Sequence, residues 1–461
     1  MVRDNGLMCK QTSKEVWLLP FIVFLPIFGR SFFPKIRDTG SITLQSSLTD
    51  PQILGVYILL AYCLYCLGRR PEKLKYLLTL PLWPLTIFTV VAVTSAIIVS
   101  SSLLYSLWRS LETCSVLLWG VLLFAQSKKE QNSTRLFVSF YAMSAFMLLS
   151  VMAAMVIDPQ HAWMDDDRGV QRLATTSTFM MGANSIGVIA ALLSLSALSR
   201  FILFMKIRYL ALFGVVLTLC YAARSRTGFI VFILGAIVLM IFLLRMPTRR
   251  LITTISGILL GTLIVGLLLV SPEFSESVTH TFTRGHNETN ISSLDGRVSI
   301  WTAALKAFDR SPILGSGYAT YPMQIEAGGH FHNMFVELAV TTGILGLIPI
   351  LTLFTLISTR LVKLFSRSYD GAMPHQLASL DALLIGTVLI VSEMTTAGAA
   401  YYSWQMIGIV VLAVGLYTMP KAYVSNDTDG GCLSEPMILQ HPLISNTNMK
   451  INESYRKPII L

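Results

Sequence analysis

The feature that most constrains this chain is its series of apolar runs, each close to helix-spanning length and separated by short loops rich in Lys and Arg. About 20 apolar residues in a helix cross the ~30 Å hydrocarbon layer of a bilayer. In that layer every backbone polar group must find its partner within the chain, which leaves helical bundles and closed barrels. Barrel strands would read as alternating segments of about ten residues, whereas these runs are continuous. Composition points the same way: 54% of the 461 residues are hydrophobic and 13% charged, against about a quarter charged in soluble domains. So few charges cannot cover the roughly three soluble domains that the length would suggest. Disordered, collagen-like and disulfide-rich secreted chains are excluded as well. The expected fold is an all-α polytopic membrane protein of about 12 transmembrane helices. The candidate spans are 16–33, 51–68, 77–99, 103–126, 136–156, 180–199, 207–223, 227–245, 250–270, 333–357, 378–398 and 402–419.

The placement of charge tests this series. With the N-terminus inside, the inside loops hold Arg69, Arg70, Lys73 and Lys75; Lys128, Lys129 and Arg135; Arg200, Lys206 and Arg208; Arg245, Arg249 and Arg250; and Arg360, Lys363 and Arg367. Every inside loop then carries at least three basic residues, as the positive-inside rule demands. Both termini are therefore expected in the cytoplasm. The net charge of +10 reflects membrane orientation, and no nucleic-acid partner is expected. No cleavable leader is evident, because the first apolar run lacks a small-residue cleavage site. Cys63-Leu-Tyr-Cys66 has redox spacing but lies in an apolar helix and reads as core packing.

The chain divides into 1–270, with helices 1–9 and an outside loop near 157–179; a large, partly helical periplasmic loop at 271–332; 333–419, with helices 10–12; and a flexible cytoplasmic tail at 420–461. Within the large loop, Ile300, Trp301, Ala304, Leu305 and Phe308 fall on one face, so 297–309 is expected to be an amphipathic helix at the membrane surface.

The outside groups that can carry chemistry are basic. Arg224-Ser-Arg226-Thr-Gly228 forms a tight turn between two spans. Arginines at membrane depth are costly and normally mark function, and guanidinium binds phosphate oxygens bidentately. Snorkelling to headgroups is the bland alternative. Arg297 opens the amphipathic helix after Asp295, with Arg284 upstream, and Arg172 precedes Asn184 at the start of span six. Helix-end pairing with Asp295 or plain solvation would also account for Arg297 and Arg284. His330-Phe-His332-Asn333 closes the loop. A histidine there can serve as a general base near neutral pH, and Asn333 is a good N-cap. Two idle interfacial histidines, or a His-x-His chelate, are the competing readings, although the nearby Glu326 and Glu337 do not complete a zinc pattern. No phosphate-binding P-loop or nucleophile elbow is present. Glu337 and Glu393 are the candidates for acidic residues buried in spans, which weakens a proton-coupled transporter. A structural membrane partner would leave Arg224, Arg226 and His332 without a role.

Together these stretches resemble the O-antigen ligase and O-antigen polymerase superfamily. The resemblance rests on Gly296-Arg297-Val-Ser-Ile-Trp301, Pro312-Ile-Leu-Gly315-Ser-Gly317, His332-Asn333-Met-Phe-Val-Glu337 and Thr342-Gly343-Ile-Leu-Gly346. Ser225-Arg226-Thr-Gly228 is similar to a second arginine motif of the family, and the stretch from Phe179 to Gly187 is a weaker match to a third. The resemblance implies an inverting, metal-independent glycosyltransferase without cofactor in the bacterial inner membrane, acting on the periplasmic side. It implies an undecaprenyl-diphosphate-linked glycan as donor and lipid A core, or another glycan, as acceptor, with membrane lipids around. By the same resemblance Arg226 and Arg297 would clamp the diphosphate and His332 would activate the acceptor hydroxyl. Arg224, Arg172, Asn333, His330 and Arg284 would complete the substrate-binding set. The His-Phe-His-Asn form resembles ligases, while the short gap from Gly317 to His332 also suits a polymerase.

Overall fold

The computed structural model describes residues 22–24, 26–27, 51–130, 133–165, 171–175, 181–246, 297–320, 331–366, 373–396 and 403–419. Helices make up nearly all of it: α1 (Pro51–Gly68), a 3-10 helix (Pro71–Leu78), α2 (Trp83–Ile98), α3 (Leu103–Glu130), α4 (Ser133–Ile157), α5 (Ala183–Phe204), α6 (Ile207–Ala222), α7 (Arg226–Leu244), α8 (Arg297–Arg310), α9 (Met334–Phe365), α10 (Met373–Thr395) and α11 (Trp404–Thr418). Ten of the expected spans each coincide with a helix among the described residues. The span 250–270 and the tail 420–461 lie outside them, as does most of 16–33.

Six of these helices are long and apolar enough to cross a bilayer, and the protein is a multi-pass membrane protein. α2, α6 and α11 are shorter apolar helices of 16, 16 and 15 residues. α1 joins the 3-10 helix across a bend of 109°. The expected span 77–99 therefore starts late, at Trp83. Proline lacks an N–H and is tolerated only in a helix's first turn, so Pro71 opens the 3-10 helix and Pro84 sits in the first turn of α2. The loop near 157–179 is not irregular throughout: Trp163–Asp165 (β1) and Gln171–Leu173 (β2) pair as an antiparallel hairpin.

Helices that are apolar all round belong inside a bundle. α5, α10 and α11 follow this rule, with Leu192, Leu195, Leu384, Leu389, Ile407 and Val414 fully buried. α6 and one face of α7 instead expose Ile207, Leu212, Val215, Ile233 and Ile237, as lipid-facing helices do. α5 and α7 cross closely at Gly187 and Gly228, where a Cβ on Gly228 would lie 2.9 Å from the Gly187 Cα.

Among the described residues four carboxylates are fully buried in the bundle, not two: Glu112 and Asp381 as well as Glu337 and Glu393. The first two are held by arginine. Arg200 on α5 makes a two-pronged bond to Asp381 on α10, at 3.2 and 3.1 Å, and Arg109 meets Glu112 at 2.9 Å within α3. Such fork–carboxylate geometry is the strong form of ion pairing.

The long helix α9 is broken at Gly343, whose backbone is left-handed (φ 62°). In an unbroken helix Ile344 and Leu345 would donate to Val340 and Thr341. Here the turn after α8 takes both sides of those two bonds. Ser316 N–H donates to the Val340 carbonyl at 3.0 Å and Gly317 N–H to Thr341 at 3.2 Å, while Ile344 and Leu345 donate to the carbonyls of Pro312 (2.9 Å) and Ile313 (3.3 Å). Ser95 of α2 donates to the carbonyls of Leu314 and Thr341, at 2.9 and 3.1 Å. A Cβ on Gly343 would lie 2.2 Å from the Ile313 carbonyl oxygen. Gly343→Ala should therefore cost about 2–4 kcal/mol through left-handed strain and overpacking. Gly214→Ala, in helix α6 with nothing within 4 Å, should be neutral or stabilising by about 0.5–1 kcal/mol. Thermal unfolding of the purified variants compares the two.

Candidate functional site

Two groups of polar residues are built at the helix ends. The first surrounds the α6–α7 turn. Ser225 N-caps α7: its hydroxyl accepts from the Gly228 N–H at 3.1 Å and donates to the Asn184 side-chain oxygen at 3.1 Å. Asn184 lies in the first turn of α5 and also accepts from Arg172 Nη2 at 3.2 Å. Arg172, on β2, is 8% exposed, and its Nε donates to the Ala223 carbonyl at the end of α6, at 3.4 Å. Between Ala223 and Ser225, Arg224 adopts a left-handed backbone (φ 43°), which costs a non-glycine residue about 1–2 kcal/mol. Arg226 opens α7, and both arginines are half-buried.

The second group forms where α8 meets α9. α8 runs from Arg297 to Arg310 and is amphipathic as expected. Ala304 is buried, Ile300, Ala307 and Phe308 pack against the core and Trp301 is half-buried, while Leu305 is 64% exposed and leaves the expected face. Trp301 Nε1 donates to the Phe331 carbonyl at 2.9 Å, and the Phe331 ring is fully buried. Asn333 caps α9, accepting from the N–H groups of Phe335 (2.9 Å) and Val336 (3.1 Å). Its amide donates to the Met394 carbonyl of α10 at 3.1 Å. His332 is thereby held between two anchored neighbours, in a left-handed backbone (φ 53°) and half-buried. In the turn that follows α8, Tyr318 OH meets Thr113 at 2.9 Å, and burial pushes the phenol above its ordinary value, so it stays protonated.

Both groups occupy one end of the bundle. α5 runs from Asn184 to Arg200, which pairs with Asp381 near the start of α10. α10 then returns by about 20 Å at 1.5 Å per residue to Met394, which meets Asn333. The starts of α5, α7 and α9 therefore share that end. His330 and Arg284 lie outside the described residues, and for Arg297 the structure gives only the helix start. Among the described residues no three His, Cys, Asp or Glu side chains are gathered as a metal set.

Several contributors are hard to see in the sequence. Asn184 stands there only within a weak motif, and a lone Asn at a span's start carries no warning of its double acceptor role. Arg109 and Glu112 were detectable, because two charges three residues apart inside an apolar run are a rare pattern.

The class so defined is a multi-pass helical membrane protein with arginines and a histidine gathered at the helix starts on one side. A family model described as O-antigen ligase matches residues 211–351, a segment that contains Arg224, Arg226, Arg297, His332 and Asn333. The chain is also 35% identical over 95 residues to the exopolysaccharide production protein ExoQ of Rhizobium meliloti, a match spanning 17% of this chain and 22% of that protein. The O-antigen ligase and polymerase superfamily resemblance thus holds through the segment that carries the basic groups.

Asn333→Ala should remove the α9 cap at a cost of about 1 kcal/mol, whereas Asn333→Asp should retain it. Faster hydrogen exchange at the Phe335 and Val336 amides in the alanine variant alone is the expected readout.

Proposed function

We propose that this protein transfers a glycan from undecaprenyl diphosphate to a sugar hydroxyl of lipid A core, as an O-antigen ligase does. One observation carries the reading. Arg224 immediately precedes the N-cap of α7 and Arg226 opens that helix, while His332 immediately precedes the N-cap of α9. Helix starts carry partial positive charge and favour anions. Cationic side chains there run against the usual preference, and a bound dianionic group offsets the repulsion.

In this reading Arg226 and Arg297 hold the diphosphate, with Arg224 assisting. The acceptor oxygen attacks the anomeric carbon, its proton passes to His332, and the bond to the diphosphate oxygen breaks with inversion. The arginines stabilise the charge that develops on the leaving group, which is electrostatic catalysis, and they take the place of a metal ion. Asn333 fixes His332 from its helix side, and His330 and Arg284 extend the substrate set. Arg172 belongs to the group through its hydrogen bonds. The site faces the periplasm of the bacterial inner membrane, with about 12 spans, both termini in the cytoplasm and the basic loops inside.

A second reading is a repeat-unit polymerase using the same donor. The role that the Rhizobium meliloti relative is named for, exopolysaccharide production, favours it. Deleting the gene in its host and separating the lipopolysaccharide on a gel distinguishes them. Ligase activity predicts loss of all long glycan on the core while lipid-linked polymer accumulates; polymerase activity predicts core bearing a single repeat.

With normal membrane levels, Arg226→Ala and Arg297→Ala should each lower transfer by about 10²–10³-fold, and His332→Ala by about 10²–10⁴-fold. A chelator should leave the wild-type rate unchanged. Full transfer by all three variants would overturn the site assignment.

A further inference from the structure

Arg224 takes a backbone conformation that L residues rarely adopt, and such a residue persists only where its surroundings over-determine it. Here the residue before it and the residue after it are held by one pair. Ahead of it, the Ala223 carbonyl ends α6 and accepts from Arg172 Nε. Behind it, the Ser225 hydroxyl donates to the Asn184 side-chain oxygen. Arg172 Nη2 donates to that same oxygen and closes the circuit. A planar guanidinium presents its donors to both acceptors in a fixed fork, whereas an ammonium gathers its three donors on one nitrogen at the end of a flexible stem and fixes neither acceptor's position. Arg172 is buried and bonded to these two neutral protein oxygens, while Arg224 and Arg226 are half-buried at the helix start. Cation placement at a helix C-terminus is also favourable in itself, which suits Arg172 to the end of α6. Residues 172 and 184 both precede the segment matched by the family model, 211–351. The hairpin and α5 thus lend that segment a support from outside it.

We propose that Arg172 and Asn184 are positioning residues that fix the Arg224-Ser225-Arg226 turn, and that Arg172 is not a ligand of the diphosphate. The proposal rests on the transfer reading above for its activity readout, but the brace itself has an independent one.

Full-length protein in proteoliposomes, supplied with a polyprenyl-diphosphate-linked glycan and acceptor, would give kcat and donor KM. Arg172→Lys should fall as far as Arg172→Ala, by about 10²-fold in kcat, the scale of a misplacement near 1 Å. Asn184→Ala, which removes no charge, should fall equally. The double variant Arg172→Lys with Asn184→Ala should lose no more than either single, and Asn184→Asp, which keeps an acceptor oxygen, should retain most of the activity. Hydrogen exchange at the Gly228 and Phe229 amides should quicken in Arg172→Lys and Asn184→Ala and stay slow in Asn184→Asp. Near wild-type rates in Arg172→Lys beside a dead Arg172→Ala would overturn the proposal, since charge alone would then suffice. Full activity in Asn184→Ala, unchanged exchange, or additive losses in the double variant would overturn it too. If the Arg172 variants fail to fold, by loss of their thermal transition, Ser225→Ala and Asn184→Ala carry the same comparison. Full rates in Arg226→Ala and His332→Ala would sink the transfer reading, and the exchange rates alone would then decide whether the brace exists.

Discussion

A break in a membrane helix cannot stand alone. It frees carbonyl and N–H groups where no water can satisfy them, at several kcal/mol each. The break at Gly343 is possible only because the turn at Pro312–Gly317 supplies two donors and two acceptors in the missing helical positions. That exchange fixes the rest of this end of the molecule. It pins the end of α8 against α9, brings Ser95 of α2 into the same joint, and sets the stretch from Asn333 to Gly343 as a short helical piece on a rigid footing. His332 then stands at the start of a segment whose far end is locked by backbone bonds, and Trp301 ties it back to α8. The polar interlock turns a surface loop into part of the bundle, which is why Tyr318 and Thr320 are buried although they lie between helices.

The two basic groups are built by one local plan. In each, a left-handed residue precedes an N-cap whose side chain satisfies the first helical N–H groups, Ser225 for α7 and Asn333 for α9. The left-handed residue is Arg224 in one case and His332 in the other. A helix capped in this way has its early amide donors partly occupied, so the free positive end is presented through the following residues and the flanking cation. Left-handed backbone at a non-glycine residue is a cost that the surrounding bonds must over-determine. The Arg172–Asn184 pair does so for Arg224, and the Phe331 anchor with the Asn333–Met394 bond does so for His332.

Much of the helical order was legible in the sequence, because bilayer thickness converts length and apolarity directly into a span. The places where sequence and structure part show the limit of that conversion. The run 77–99 is mostly apolar, but Pro81 and Pro84 delay the helix to Trp83, and apolarity carries no information about that. The amphipathic helix was visible in its period, yet Leu305 is exposed while Ala304 is buried and Ile300, Ala307 and Phe308 pack against the core, so the packed side is offset from the expected face. The candidate arginines and histidine were legible as charges in loops that the charge pattern assigns to the outside. Their mutual arrangement was not, because it depends on where α10 returns and on a single Asn184 oxygen shared by residues 12 and 41 positions away.

The arginines also divide by what they bind. Arg109 and Arg200 each meet a buried carboxylate in the bundle, and removing one partner of such a pair is strongly destabilising because the other is left charged and dry. Arg172 meets a carbonyl and an amide oxygen. Bonds of that kind orient a guanidinium through its fixed fork of donors. Arg200 thus ties α5 to α10 and Arg109 pairs within α3, whereas Arg172 is bonded to carbonyl and amide oxygens beside a turn whose flanking arginines lie at the positive end of α7. The partner, not the burial, distinguishes these roles, since Arg109 and Arg172 are almost equally buried.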